Sequence, residues 1–198
     1  MVFELLKLNI EVSDDDFNSI YPEKIKVLAS KNWTPISVAK SASEFLAEKP
    51  GTKVLDIGSG AGKFCLIGAA CTKGHFTGIE QRFHLVQLSN ALSSSYNIQN
   101  INFKHANVVS LKFTDYQSFY FYNSFFENID KVNRIDDTVT LDLDLYHLYS
   151  IHVFEQFSFL PLGARVVTYC SPLNMMPPTF KLQDSSHDGL LKFWEKVE

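Results

Sequence analysis

Three glycines at alternate positions, Gly58, Gly60 and Gly62, separate a short apolar run from a stretch of small residues. Lys53-Val54-Leu55-Asp56-Ile57 reads as a buried strand. Lys63 to Cys71, with Cys65, Leu66, Gly68, Ala69 and Ala70, reads as a closely packed helix. A glycine turn between strand and helix lets backbone approach a ligand without a Cβ in the way. A strand feeding a helix is also the half-unit of a parallel sheet, so this one segment narrows the fold class.

The rest of the chain repeats the alternation. His75-Phe76-Thr77-Gly78-Ile79-Glu80 predicts a second strand, Gln81 to about Tyr96 a helix, and Ile101 to Ala106 a third strand. Ser118 to Tyr122 is an almost wholly aromatic fourth strand, and Ala164 to Cys170 a fifth, with a helix from Leu145 to about Leu160 between them. The tail breaks the rhythm. Pro172 to Pro178 is too short and proline-rich for an ordinary helix. Phe180 to Asp184 and Leu190 to Val197 predict an antiparallel hairpin at one sheet edge. Ahead of the sheet, residues 1 to about 30 read as an irregular or weakly helical lead. Its Asp14-Asp15-Asp16 cluster is a candidate helix cap. Thr34-Pro35 predicts a helix start, Thr as N-cap and Pro at the first position, running through Glu48 until Pro50-Gly51 stops it. The expectation is an α/β chain of one domain over residues 1–198, with a lead to residue 50 and the sheet core over 51–198.

Spacing separates three nucleotide-binding loops. A phosphate-binding loop needs G-x-x-x-x-G-K-[S/T]. Gly62-Lys63 supplies the G-K, but the first glycine falls on Ile57 and Phe64 follows the lysine. The dinucleotide pattern G-x-G-x-x-G places its third glycine on Lys63. What remains is D-x-G-x-G-x-G, followed by an acid, Glu80, at the end of the second strand.

These residues resemble the class I, S-adenosylmethionine-dependent methyltransferase family. The resemblance implies a Rossmann-like, doubly wound three-layer α/β/α fold. Its seven-stranded sheet is mostly parallel and ordered 3-2-1-4-5-7-6. Here the helix before the terminal hairpin looks lost. The resemblance also implies that Gly58, Gly60 and Gly62, with Ser59 between them, pass close to the cofactor's methionine half. Asp56 would fix its ammonium, and Glu80, beside Gln81, would accept hydrogen bonds from ribose hydroxyls. The competing role for Glu80 is a solvated cap on the next helix. Asn107 either lies near the adenine amino group or is an ordinary loop residue. Thr34 either contacts the cofactor carboxylate, with Trp33 walling the pocket, or simply caps its helix.

The acceptor end is less specific. The fourth strand runs into Tyr122-Asn123-Ser124-Phe125-Phe126. Amino-group methyltransferases carry an Asn-Pro-Pro-aromatic turn at this place, and this segment resembles it in part, lacking both prolines. Tyr122 and Asn123 are the candidate catalytic residues. The side-chain amide and backbone carbonyl of Asn123 would accept hydrogen bonds from a nitrogen, and an aromatic face would stabilise its growing charge. The competing role is packing and turn closure. The Trp-Thr-Pro, glycine-loop and Glu80 layout also resembles lysine methyltransferases of the seven-strand class, including non-SET histone enzymes. A protein lysine or other amine ranks first as acceptor and a small metabolite second. A cofactor-binding subunit without chemistry and a nicotinamide-dependent oxidoreductase stay open.

Composition bounds the partners. Net charge is −4, with 18 basic and 22 acidic side chains and no basic stripe, which argues against a nucleic-acid substrate. The three cysteines, Cys65, Cys71 and Cys170, have no metal-ligand spacing. His147 and His152 do not share a helix face, so no metal is expected. Neither a leader nor a membrane span of about 18 apolar residues is visible, and a cytoplasmic location is the expectation.

Overall fold

The computed structural model describes residues 2–198. Met1, the first residue of the segment tested for a leader, and the Lys31 side chain of the lead lie outside the described residues, as does the Ser30 side chain. Seven strands form one sheet: β1 (Lys53–Ile57), β2 (His75–Glu80), β3 (Ile101–His105), β4 (Ser118–Tyr122), β5 (Arg165–Tyr169), β6 (Phe180–Ser186) and β7 (Leu191–Lys196). Their order is β3-β2-β1-β4-β5-β7-β6, as expected. The β1–β2, β1–β4, β2–β3 and β4–β5 pairs are parallel, and β7 runs antiparallel to both β5 and β6.

Alternation along the strands splits the core into two layers. Val54 and Tyr120 face one side, packing with α4 (Ile36–Leu46), α5 (Lys63–Cys71) and α6 (Phe83–Ser95). Leu55, Ile57, Phe119 and Phe121 face the other, beneath α7 (Leu143–Ser158). The two faces are covered unequally. Between β3 and β4 the chain makes only one-turn 3-10 helices, Val108–Ser110 and Phe113–Asp115. Between β5 and β6 it makes only Leu173–Met175, so the helix that looked lost is indeed absent.

The lead departs most from expectation. It holds three helices, α1 (Val2–Lys7), α2 (Asp14–Asn18) and α3 (Glu23–Asn32). Tertiary packing stabilises helices too short to persist alone. Phe3 meets Phe17 edge-on at 5.6 Å between ring centres, and Tyr21 lies 5.0 Å from Trp33. Ser13, not an aspartate, caps α2.

The start of α4 also corrects the sequence. Pro35 occupies the cap position, the helix begins at Ile36 and it ends at Leu46, short of Glu48. Thr34 does not cap it, because its hydroxyl is hydrogen-bonded to the Tyr120 hydroxyl at 2.9 Å. The Ile36 N–H instead donates to the Asp14 carboxylate at 3.1 Å, so a residue far back in the lead serves as the cap.

Candidate functional site

The carboxyl ends of β1, β2 and β4 open onto a cavity of about 200 Å³. Asp56, Gly58, Ser59, Gly60, Glu80, Gln81, Asn107, Thr34, Tyr122 and Asn123 all line it. Gly62 does not. A Cβ on Gly62 would stand 2.6 Å from the Phe103 ring, and its φ is +79°. Gly62 therefore lets α5 start against β3 rather than facing the cavity. Gly58 has a different necessity. At φ +76°, a Cβ there would stand 2.6 Å from the Ser124 Cβ. The Ser124 hydroxyl donates to the Ile57 carbonyl, so the ends of β1 and β4 interlock where Gly58 leaves room.

Glu80 organises the loop. Its Oε2 accepts from the Gly60 N–H at 3.0 Å and its Oε1 from the Arg82 N–H at 2.8 Å. A carboxylate oxygen has two lone pairs, so each oxygen keeps acceptor capacity after these bonds. Burial pushes the Glu80 pKa up, against the pull of Arg82 and the two N–H donors. Asp56 is 3% exposed. Burial raises its pKa to about 7, opposed by the Cys65 thiol, which donates to Oδ2 at 3.4 Å, and reinforced by the Glu80 charge. Asp56 thus has a thiol but no cation among its resolved partners, which suits a carboxylate waiting for one.

Arg82 lines the cavity and was missed by sequence reasoning. It is 4% exposed and forms ion pairs with Glu127 at 2.6 Å, Asp136 at 3.0 Å and Glu80 at 3.8 Å. Glu127 Oε2 also accepts from the Ile135 N–H at 3.0 Å. Burial opposes the Arg82 charge, but Glu127 and Glu80 outweigh it and raise the pKa. The visible signal was an arginine two residues after a strand-end acid. Its partners, 45 and 54 residues away, carried no signal.

The lead is strapped onto the glycine loop. Lys63, 3% exposed, pairs with Asp14, and the Tyr21 hydroxyl donates to the Ala61 carbonyl at 3.2 Å. Burial lowers the Lys63 pKa and Asp14 pulls it back. Asn107 lines the cavity and also holds its own turn. Its amide donates to the Tyr149 hydroxyl at 2.8 Å, and its Oδ1 accepts from the Val109 N–H at 3.2 Å. Gln81 gives its carbonyl to the His105 ring at 2.9 Å.

At the acceptor end, Asn123 adopts φ +40°. Its N–H donates to Ser171 Oγ at 3.1 Å and its carbonyl accepts from the Phe126 N–H at 3.0 Å. The backbone carbonyl expected to face a substrate nitrogen is therefore engaged in the turn, while Asn123 as a residue lines the cavity. The Tyr122 ring lies 4.8 Å from Tyr169, and burial pushes its pKa up to about 12.

Residues 48–143 match a family model described as a methyltransferase domain. The match takes in just under half of the chain, including the glycine loop, Glu80, Asn107 and Asn123. No curated protein matches this chain. Among solved structures it is similar to TrmN from Thermus thermophilus, with 20% identity and a TM-score of 0.59 over 86% of this chain. The chain spans only 51% of TrmN. An RNA methyltransferase from Salinibacter ruber, in complex with S-adenosyl-L-homocysteine, is 17% identical with a TM-score of 0.57. That match covers 83% of this chain and 93% of the other. An S-adenosylmethionine-dependent O-methyltransferase from Thermotoga maritima is 16% identical with a TM-score of 0.55, covering 89% and 72% of the two chains. At these identities the shared property is the fold. Among the described residues no helix is long and apolar enough to cross a membrane.

Proposed function

We propose that this chain transfers a methyl group from S-adenosylmethionine to an amine nitrogen, with a protein lysine as the leading acceptor. S-adenosylmethionine is the cofactor of this class of methyltransferase, and it supplies an electrophilic methyl carbon on a sulfonium. The observation that carries the assignment is Glu80: a buried strand-end carboxylate fixed by the Gly60 and Arg82 N–H groups, with lone pairs left for a ribose diol. Gly58, Ser59 and Gly60 form the floor beside it. Asp56 takes the ammonium, whose charge relieves a carboxylate that burial otherwise holds half protonated near neutral pH. Gln81 and the backbone flanking Asn107 wall the adenine end, while the Asn107 side chain holds that turn.

Charge favours an amine acceptor. Four carboxylates, Asp56, Glu80, Glu127 and Asp130, line the cavity. The two cations that line it among the described residues, Lys63 and Arg82, are both paired with acids. Such a mouth attracts a cationic side chain and repels a phosphodiester backbone. The same balance disfavours a dinucleotide, since the Gly60 N–H is engaged by Glu80 and, among the described residues, no unpaired cation lines the cavity to meet a pyrophosphate. The Asn123 amide and the Tyr122 ring orient the nitrogen and stabilise its growing charge.

Calorimetric titration with S-adenosylmethionine and with NAD, followed by labelled methyl transfer to lysine peptides, small amines and RNA, tests the assignment. Binding of S-adenosylmethionine and labelling of an amine are expected. Binding of NAD alone would remove the cofactor assignment. Labelling of RNA alone would remove the acceptor, and binding with no labelled acceptor would favour a subunit without chemistry.

A further inference from the structure

We propose that the indole N–H of Trp33 is the donor that holds the cofactor's carboxylate, a role the sequence had pointed to in Thr34. The proposal rests on the assignment of S-adenosylmethionine to this cavity. Five buried side-chain nitrogen or oxygen atoms lack a hydrogen-bond partner among the described residues: Asn18 Oδ1, Trp33 Nε1, Ser150 Oγ, His152 Nε2 and Thr179 Oγ1. Of these five residues, Trp33 alone lines the cavity. Buried polar groups are otherwise paired in folded proteins, so an orphan donor in a ligand cavity marks a place for an acceptor.

Indole nitrogen donates and cannot accept, which restricts its partner to an acceptor such as a carboxylate. Trp33 is 7% exposed, and its Nε1 lies 3.2 Å from where a Cβ on Gly60 would stand, so it sits directly over the glycine loop. Tyr21 packs on the ring at 5.0 Å and holds it there.

Position selects the carboxylate among the cofactor's acceptors. Asp56 pairs with Tyr120 across the β1–β4 register, on one face of the sheet. The Tyr120 hydroxyl is bonded to Thr34, the residue after Trp33. Trp33 therefore stands at the Asp56 end of the cavity, where the ammonium goes. The carboxylate sits on the same carbon as that ammonium and cannot face Asp56 or Glu80. Thr34 is hydrogen-bonded to Tyr120 and Lys63 is drawn to Asp14, whereas the Trp33 N–H has no partner among the described residues.

The test compares S-adenosylmethionine with its decarboxylated analogue, which keeps the sulfonium and the ammonium. Affinities are measured by calorimetry for the wild-type chain and for Trp33→Phe, which preserves an aromatic wall. Wild type should bind the decarboxylated compound about tenfold or more weakly, as expected for a hydrogen bond to a charged group. Trp33→Phe should bind the two compounds with nearly equal affinity. Equal discrimination by both proteins overturns the proposal, as does an equal loss for both ligands in the variant, which would make Trp33 a wall only.

A second measurement needs no variant. The chain has two tryptophans, and Trp194 already donates to Thr168 Oγ1 at 3.0 Å. In a 1H–15N spectrum the other indole signal should shift with S-adenosylmethionine and stay nearly fixed with the decarboxylated compound. Equal shifts overturn the proposal. Failure of the wild type to bind either compound would instead remove the cofactor assignment on which it rests.

Discussion

At the glycine-loop end of the cavity, the polar groups come from the ends of regular elements: Asp56 from β1, Glu80 from β2, and Gly60 from the turn tied to Glu80. Asp56 and Glu80 are 3% and 6% exposed. At the acceptor end, residues 123–142 form an irregular path with two one-turn 3-10 helices, Phe126–Asn128 and Lys131–Asn133. Side chains there reach solvent, up to 91% exposure at Val132. Under the proposed function, the difference follows from the two ligands. One cofactor sets one geometry, and strand ends hold positions better than loops do. Acceptors vary, and a loop set on a fixed sheet changes without disturbing the core. Arg82 joins the two ends, pairing Glu80 on one side with Glu127 and Asp136 on the other.

Breaking that join should give the largest effect. Arg82→Met leaves three carboxylates without their cation, and a loss of about 3–5 kcal/mol is expected in urea denaturation. Hydrogen exchange across residues 123–142 should quicken as well. A variant as stable as wild type would mean that the two ends are independent. Next in size, Glu80→Gln should weaken S-adenosylmethionine binding about a hundredfold, or ~2.7 kcal/mol, read by calorimetry.

The pH dependence sharpens the comparison from the cofactor side alone. Asp56 titrates at about 7 when folded, against an ordinary value of 3.8. Between those values the unfolded chain has lost a proton that the folded chain keeps. Raising pH through that window therefore costs stability, by up to about 1.4 kcal/mol per unit, and the full penalty is present above pH 7. Cofactor affinity should move oppositely, rising up to about tenfold per unit until pH 7 and then levelling. Asp56→Asn should flatten both curves relative to wild type; parallel curves would remove Asp56 from the ammonium site.

At the other end, Asn123→Ala should slow methyl transfer about tenfold, roughly 1.4 kcal/mol, with cofactor affinity unchanged. A matching loss of cofactor affinity would merge the two ends into one site. The smallest effect belongs to Val132→Ser, which should stay within about 0.5 kcal/mol of wild type in thermal unfolding.

The local pattern of the chain determined much of the framework. β1, α5, β2 and β4 lie at the residues where apolar runs and small-residue spacing placed them, because strand and helix periodicity is written within a few neighbours. The glycine loop and Glu80 were legible for the same reason. The lead was not: α1, α2 and α3 depend on Phe3, Phe17 and Tyr21 finding partners in space, and short helices carry weak local signals. Only the tertiary structure decided that Asp14 caps α4 while Thr34 bonds Tyr120. It alone turned Gly62 toward Phe103, gathered three acids around Arg82 and left the Trp33 N–H without a partner. Hydrogen bonds and ion pairs across tens of residues follow from packing, and no period in the sequence encodes them.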